Sequence, residues 1–154
     1  MSLSTVVIGI GNLLRRDDGA GILAARQLRT VLPSHIAVFE SAADVSVLLD
    51  LFSQADRVIL IDAVSGIPDG KVLCRRSPDL ALPSQPATSS HALSLPQILD
   101  LAQALGQLPR TVLLYGIGGS DFGIGEGVSE SVAQGIHSVV QRIWKELQQT
   151  DSQA

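Results

Sequence analysis

The sequence predicts a single α/β domain in which a mostly parallel, twisted sheet lies between two layers of helices. Strand-sized apolar runs alternate with amphipathic helical patterns along the whole chain. The runs are apolar throughout rather than at every second position, which is typical of strands covered on both faces. A length of 154 residues suits one domain with a substantial core. We assign residues 1–149 to this three-layer domain and expect residues 150–154 to form a loose polar tail.

The first half of the chain contains three predicted strands and two predicted helices. The strands are residues 5–9, 35–40 and 57–62, and the helices are residues 19–32 and 43–52. The first helix is predicted from apolar residues at 22, 23, 28, 31 and 32, and it ends before Pro33. The second helix is expected to bury Val45, Leu48, Leu49 and Phe52.

The second half begins with a turn at residues 65–70, a short strand at 71–76 and a proline-containing loop at 77–90. A helix follows at 94–105, with Pro96 in the first turn, where its missing N–H costs little. The strand at 110–117 leads into a glycine-rich loop that extends to Gly127. An amphipathic helix at 128–149 closes the domain, with Ser129 as its candidate cap. Its predicted inward positions are Val132, Ile136, Val139, Val140, Ile143 and Leu147.

The composition excludes several classes of protein. With 45% hydrophobic and 17% charged residues, extensive disorder is excluded. A formal charge of −4 with scattered bases argues against a nucleic-acid surface. The apolar runs are far shorter than the roughly 20 residues of a membrane span. The N-terminus has no basic region or cleavage site, and Cys74 is the only cysteine. We therefore expect a soluble cytoplasmic protein with neither nucleic acid nor membrane as partner.

Two familiar site patterns are incomplete in this chain. Gly9 and Gly11 begin a dinucleotide-binding fingerprint, but the third glycine is replaced by Leu14, and the acids that follow would repel a pyrophosphate. A small nucleotide-binding α/β protein is therefore the weakest of the functions we consider for this chain. A nucleophile elbow around Ser120 would need a glycine at position 122, where the chain has phenylalanine. Cys74 has no adjacent base and is predicted to be a buried apolar residue.

Three polar residues follow predicted strands or precede helices on what should be one edge of the sheet. They are Asp18, Asp62 and His91. Because the carboxyl ends of parallel strands meet at the same edge, residues far apart in sequence can converge there. Two carboxylates and an imidazole suit a divalent cation such as zinc or nickel and leave open coordination positions. Taken singly, each residue also has an ordinary explanation as a cap or turn residue. Asp17 is the alternative ligand if the register is shifted by one, and His35 and His137 are expected to be structural.

At these residues the chain resembles the hydrogenase maturation proteases, which process the large subunit of nickel-iron hydrogenases. The resemblance is carried by three segments in order: Gly-Ile-Gly-Asn-Leu-Leu at 9–14 with Asp-Asp-Gly at 17–19, Ile-Leu-Ile-Asp-Ala at 59–63, and Ser-Ser-His-Ala-Leu-Ser-Leu at 89–95. It extends from about residue 5 to residue 147. One departure is the Gly118-Gly119 pair, where family members often have Glu-Pro, followed by a glycine-rich loop expected to be flexible.

The resemblance implies a function and a site. It implies an α/β endopeptidase without a serine or cysteine nucleophile, whose metal-binding and catalytic residues fall on Asp18, Asp62 and His91. Its partner would be the nickel-loaded hydrogenase large-subunit precursor, which supplies the nickel and loses a short C-terminal extension. Gly9, Gly11 and Asn12 would then shape the turn that presents Asp18. The alternative is a nickel-sensing, chaperone-like relative that binds the precursor without cutting it.

Overall fold

The computed structural model describes residues 3–83 and 93–152. It contains one five-stranded sheet with strand order β2-β1-β3-β5-β4. The strands are β1 (Leu3–Ile10), β2 (Ala37–Ser41), β3 (Ala55–Val64), β4 (Val72–Arg76) and β5 (Thr111–Gly118). The helices are α1 (Ala20–Val31), α2 (Val45–Gln54), α3 (Leu95–Ala104) and α4 (Glu130–Ser152), with a 3-10 turn, Arg16–Gly19, before α1.

The sheet is parallel except at one edge. β1 pairs in parallel with β2 and β3, and β3 pairs in parallel with β5. β4 runs antiparallel to β5. β4 runs in the opposite direction because the short turn at 65–70 reverses the chain after β3, and β4 then pairs with β5 rather than with β3. The prediction of a mostly parallel sheet is confirmed.

The two faces of the sheet bury two separate apolar clusters, which confirms the predicted three layers. One cluster contains residues of α1 and α4 with alternate residues of the central strands, such as Val7, Ile59 and Leu113. The other contains residues of α2 and α3 with the intervening positions, such as Ile8 and Leu60. Each central strand therefore buries both of its faces, as its unbroken apolar run predicts.

The helical patterns are largely confirmed in the structure. All six residues predicted to face inward on α4 are buried. Pro96 lies in the first turn of α3, where Ser94 and Gln97 form a reciprocal capping box. Val31 was predicted to be buried but is exposed, because α1 packs on the sheet through the small residues Ala24 and Ala25, and Val31 lies in its last turn.

Several boundaries differ from the prediction. β3 continues two residues beyond Asp62, to Val64. α4 continues to Ser152 rather than ending at Gln149, so the first three residues of the expected loose tail, 150–152, are helical. Neither glycine nor proline interrupts that stretch, and each added residue gains one helical hydrogen bond. Of the predicted loop at 77–90, residues 84–90 lie outside the described residues.

None of the helices in the described part of the chain is long and apolar enough to cross a membrane.

Candidate active site

The segment after β1 forms a turn that presents Asp18 at the carboxyl edge of the sheet. The Asn12 N–H donates to the Asp18 carbonyl oxygen over 3.2 Å, and the Asn12 side-chain oxygen accepts from the Leu14 N–H over 2.9 Å. Gly11 has a φ of +151°, and a Cβ there would overlap the carbonyl oxygen of Asp18. Only glycine therefore permits this close approach. The predicted role of Gly11 and Asn12 in shaping the turn is confirmed, whereas Gly9 lies within β1, where a Cβ would overlap the carbonyl oxygen of Gly21 in α1.

The two adjacent acids have different environments. Asp17 has no exposed surface, and its carboxylate accepts hydrogen bonds from the backbone N–H groups of Ser120, Asp121 and Ser129, at 3.2, 3.0 and 2.9 Å. Asp18 is half-buried. Three backbone donors occupy the oxygens of Asp17, so this carboxylate faces the protein scaffold. The geometry therefore favours Asp18 over Asp17 as the acid that borders the site.

Asp62 lies on β3 opposite Gly116 of β5 and is 5% exposed. Burial raises the pKa of the Asp62 carboxyl well above its usual range, and the nearby charge of Asp18 raises this pKa further. A hydrogen bond of 2.8 Å from the Ala63 N–H opposes the shift. The 3-10 turn that carries Asp18 packs against β3, so Asp18 and Asp62, 44 residues apart in sequence, lie near enough for the charge of Asp18 to act on Asp62.

The third predicted residue, His91, lies outside the described residues. Within 3–83 and 93–152, no group of three His, Cys, Asp or Glu side chains is arranged to hold a metal ion. The two acids could supply oxygen ligands, and a metal site would need a further donor such as an imidazole. The assignment of His91 to the site stays a prediction.

The remaining candidates lie away from the acid pair. His35 is exposed in the turn before β2, and His137 is exposed on α4 beside Gln141. Cys74 lies on the antiparallel edge strand β4, opposite Tyr115. It is a free thiol and is half-buried rather than buried, because an edge strand is covered less fully than a central one.

The glycine-rich loop contains a feature that the sequence alone did not reveal. Gly118 and Gly119 are buried, and a Cβ on Gly119 would lie 2.9 Å from the Cβ of Asp17. The missing side chain allows the loop backbone to reach the Asp17 carboxylate. The sequence led us to expect a flexible segment, whereas the structure shows the backbone of Ser120 and Asp121 in this loop hydrogen-bonded to Asp17. A glycine pair directly after a buried strand was the available signal for this close approach.

A mostly parallel sheet between two helical layers defines an open α/β domain, and proteins of this class bind their ligands at the carboxyl ends of the strands, where Asp18 and Asp62 lie. Within this class, the chain belongs to the hydrogenase maturation protease family, whose sequence profile matches residues 24–146. A relative from Thiocapsa roseopersicina, the hydrogenase expression/formation protein HupD, is 32% identical over 118 residues. This match covers 73% of the present chain and 52% of the relative, so the chain spans about half the length of that protein.

Two further comparisons agree in family and in fold. The hydrogenase 2 maturation protease of Escherichia coli is 25% identical over 116 residues, which cover 73% of this chain and 71% of that protein. The solved structure of the E. coli hydrogenase maturating endopeptidase HybD superposes with a TM-score of 0.77 at 20% identity. That superposition covers 96% of this chain and 93% of HybD, and it confirms the predicted α/β fold.

Proposed function

We propose that the protein is an endopeptidase that removes the C-terminal extension of a nickel-iron hydrogenase large-subunit precursor after nickel has been inserted. Membership of the hydrogenase maturation protease family supports peptide hydrolysis as the reaction and a hydrogenase subunit as the substrate. The nickel belongs to the precursor and is part of the substrate in this proposal.

The observation that carries the proposal is the placement of buried Asp62 beside Asp18. Two neighbouring carboxylates at a poorly hydrated site repel one another, which is why the Asp18 charge adds to the raised pKa of Asp62. A divalent cation between them would remove this repulsion and favour the ionised form of both acids. The site is therefore unfavourable for two negative charges when empty and favourable for a cation carried in by a partner.

In this proposal, Asp18, Asp62 and His91 all act as ligands of the precursor's nickel. Asp18 and Asp62 approach the precursor's nickel through carboxylate oxygens, and His91 does so through a ring nitrogen. Contact with the nickel fixes the precursor so that the bond to be cut lies in the crevice. A bound metal ion supplies a Lewis acid that polarises a peptide carbonyl or activates water. No serine or cysteine nucleophile is required by this arrangement.

The test is a cleavage assay with nickel-loaded and nickel-free precursor as substrates. We expect a shift to higher electrophoretic mobility only for the loaded precursor. Asp62→Asn and His91→Ala are each expected to abolish cleavage while circular dichroism shows a folded protein, and Asp18→Asn is expected to act in the same way. Cys74→Ser is the matched control and should cleave at the wild-type rate.

Two results would contradict the proposal. If wild-type protein binds the loaded precursor but leaves its length unchanged, the alternative of a non-cleaving nickel-sensing binder is correct. If a variant of Asp18, Asp62 or His91 cleaves at the wild-type rate, the role proposed for that residue is wrong.

A further inference from the structure

The two most exposed large apolar side chains of the described residues lie on two segments that pair next to the turn carrying Asp18. Seven such side chains are exposed, and the two with the highest exposed fractions are Ile124, at 81%, and Leu14, at 61%. Leu14 is four residues before Asp18 in the turn that presents this acid. Single exposed apolar residues are common, but the two large apolar side chains with the highest exposed fractions among the described residues lie on segments that pair with each other.

The two segments are joined by backbone hydrogen bonds. The Gly125 N–H donates to the Leu14 carbonyl over 2.9 Å, and the Arg16 N–H donates to the Gly125 carbonyl over 3.0 Å. This is the pattern of a parallel β-bridge between Arg15 and Gly125. We call residues 14–16 and 124–125 the ribbon. It displays one large apolar side chain from each of its segments.

Asp17 joins the two segments of the ribbon through hydrogen bonds to residues that precede and follow Ile124. Its backbone N–H donates to the Asp121 carbonyl over 2.9 Å, and its buried carboxylate accepts the N–H groups of Ser120 and Asp121 in the glycine-rich loop and that of Ser129 just after it. Hydrogen bonds to a charged acceptor are stronger than those between neutral groups. The loop that carries Ile124 is thereby held beside the segment that carries Leu14 and Asp18.

We propose that the ribbon is the docking surface for an apolar stretch of the precursor chain that flanks the bond to be cut, with Leu14 and Ile124 as contact side chains and Asp17 as the positioning residue. This inference rests on the proposed endopeptidase function. The occupant is a substrate segment because the ribbon is continuous with the turn that presents Asp18, so a chain brought to this acid lies over it. A second copy of the protein bound there would cover Asp18 and obstruct the site.

The first test measures the affinity for the nickel-loaded precursor by calorimetry and the KM for its cleavage. Leu14→Ser and Ile124→Ser are each expected to raise the Kd and the KM about tenfold, which corresponds to about 1.4 kcal/mol of lost contact. Leu105→Ser is the matched control, because Leu105 is 54% exposed at the end of α3. Its Kd should stay within about twofold of wild type.

The affinity separates failure of this inference from failure of the proposed function. If the wild-type protein binds the precursor but does not cleave it, and the two ribbon variants still bind more weakly, the docking surface is supported and the peptidase function is refuted. If the ribbon variants bind like Leu105→Ser, or if the wild type does not bind the precursor, the docking surface is refuted. Wild-type dimers that become monomers in Ile124→Ser would also refute it, since the occupant would be a second copy.

The second test addresses Asp17 by NMR. In Asp17→Asn the amide protons of Ser120, Asp121 and Ser129 should move upfield and exchange faster, and the Kd should rise. Asp69→Asn is the control, because within residues 3–83 and 93–152 the Asp69 carboxylate accepts the Ser120 hydroxyl and no backbone N–H of this loop. If Asp17→Asn and Asp69→Asn give the same spectra in this loop and the same Kd, Asp17 has no positioning role.

Discussion

Replacing Gly11 by alanine tests whether the turn after β1 determines the position of Asp18. Gly11 has a φ of +151°, and the new Cβ would overlap the Asp18 carbonyl oxygen. The backbone strain costs about 1–3 kcal/mol. The overlap adds about 1–3 kcal/mol, because it is made with backbone and not with a flexible side chain. The expected loss in the free energy of unfolding is therefore about 2–6 kcal/mol.

Gly106→Ala is the matched control for this prediction. Gly106 also has a positive φ, +69°, but a Cβ there would meet no atom within 4 Å. Its replacement carries only the strain of a left-handed residue, about 1–2 kcal/mol. The difference between the free energies of unfolding of the two variants therefore measures the cost of the overlap between the new Cβ and the Asp18 carbonyl oxygen.

The assay is urea denaturation followed by circular dichroism, with precursor cleavage measured on the same preparations below the unfolding transition. We expect Gly11→Ala to unfold at lower urea than Gly106→Ala and to lose cleavage even when folded. Equal destabilisation of the two variants, or full cleavage by folded Gly11→Ala, would refute the reasoning that the Gly11 backbone determines where Asp18 lies.

Three further predictions follow from burial and charge. Ile136→Ala, in the buried face of α4, should lower the free energy of unfolding by about 2–5 kcal/mol in urea denaturation. The raised pKa of Asp62 means that its carboxyl group holds a proton more tightly in the folded state than in the unfolded state. The free energy of unfolding therefore falls as pH rises from the unfolded-state pKa of Asp62 through its folded-state pKa. Asp62→Asn should flatten this pH dependence in thermal melts between pH 4 and 8. The pKa of Glu40 is lowered, chiefly by its hydrogen bond from Arg26, so Glu40 contributes stability above its unfolded pKa that is lost as pH falls through the folded one. Because this ion pair lies at the surface, Glu40→Gln should cost less than about 1 kcal/mol at pH 7, and the cost should disappear in acid and shrink in high salt.

The sequence predicts the layers and most elements of this fold because the relevant information is local. Continuous apolar runs indicated buried strands, and the helical periodicity of α4 identified six buried apolar residues of that helix. The antiparallel direction of β4 was not predictable in the same way. It depends on which strand β4 meets, and that partner, β5, lies about forty residues further along the chain.

The site could be predicted in part for the same reason. Asp62 was recognisable because a carboxylate at the end of a buried strand requires compensation, and the structure places it beside Asp18. The choice between Asp17 and Asp18 could not be made from local sequence. The structure favours Asp18 because the Asp17 carboxylate accepts hydrogen bonds from donors that are 103, 104 and 112 residues away from it.

The 3-10 turn Arg16–Gly19 limits which insertions and deletions this protein can accept during evolution. With three residues per turn, neighbouring side chains diverge by about 120°, so Asp17 points inward while Asp18 reaches the crevice. Inserting or deleting one residue between Asn12 and Asp17 would rotate both side chains by about 120°, so that Asp17 and Asp18 would no longer keep these two orientations. We therefore expect the position of Asp18 to survive substitution of the exposed residues of this segment more readily than a change in the length of the segment.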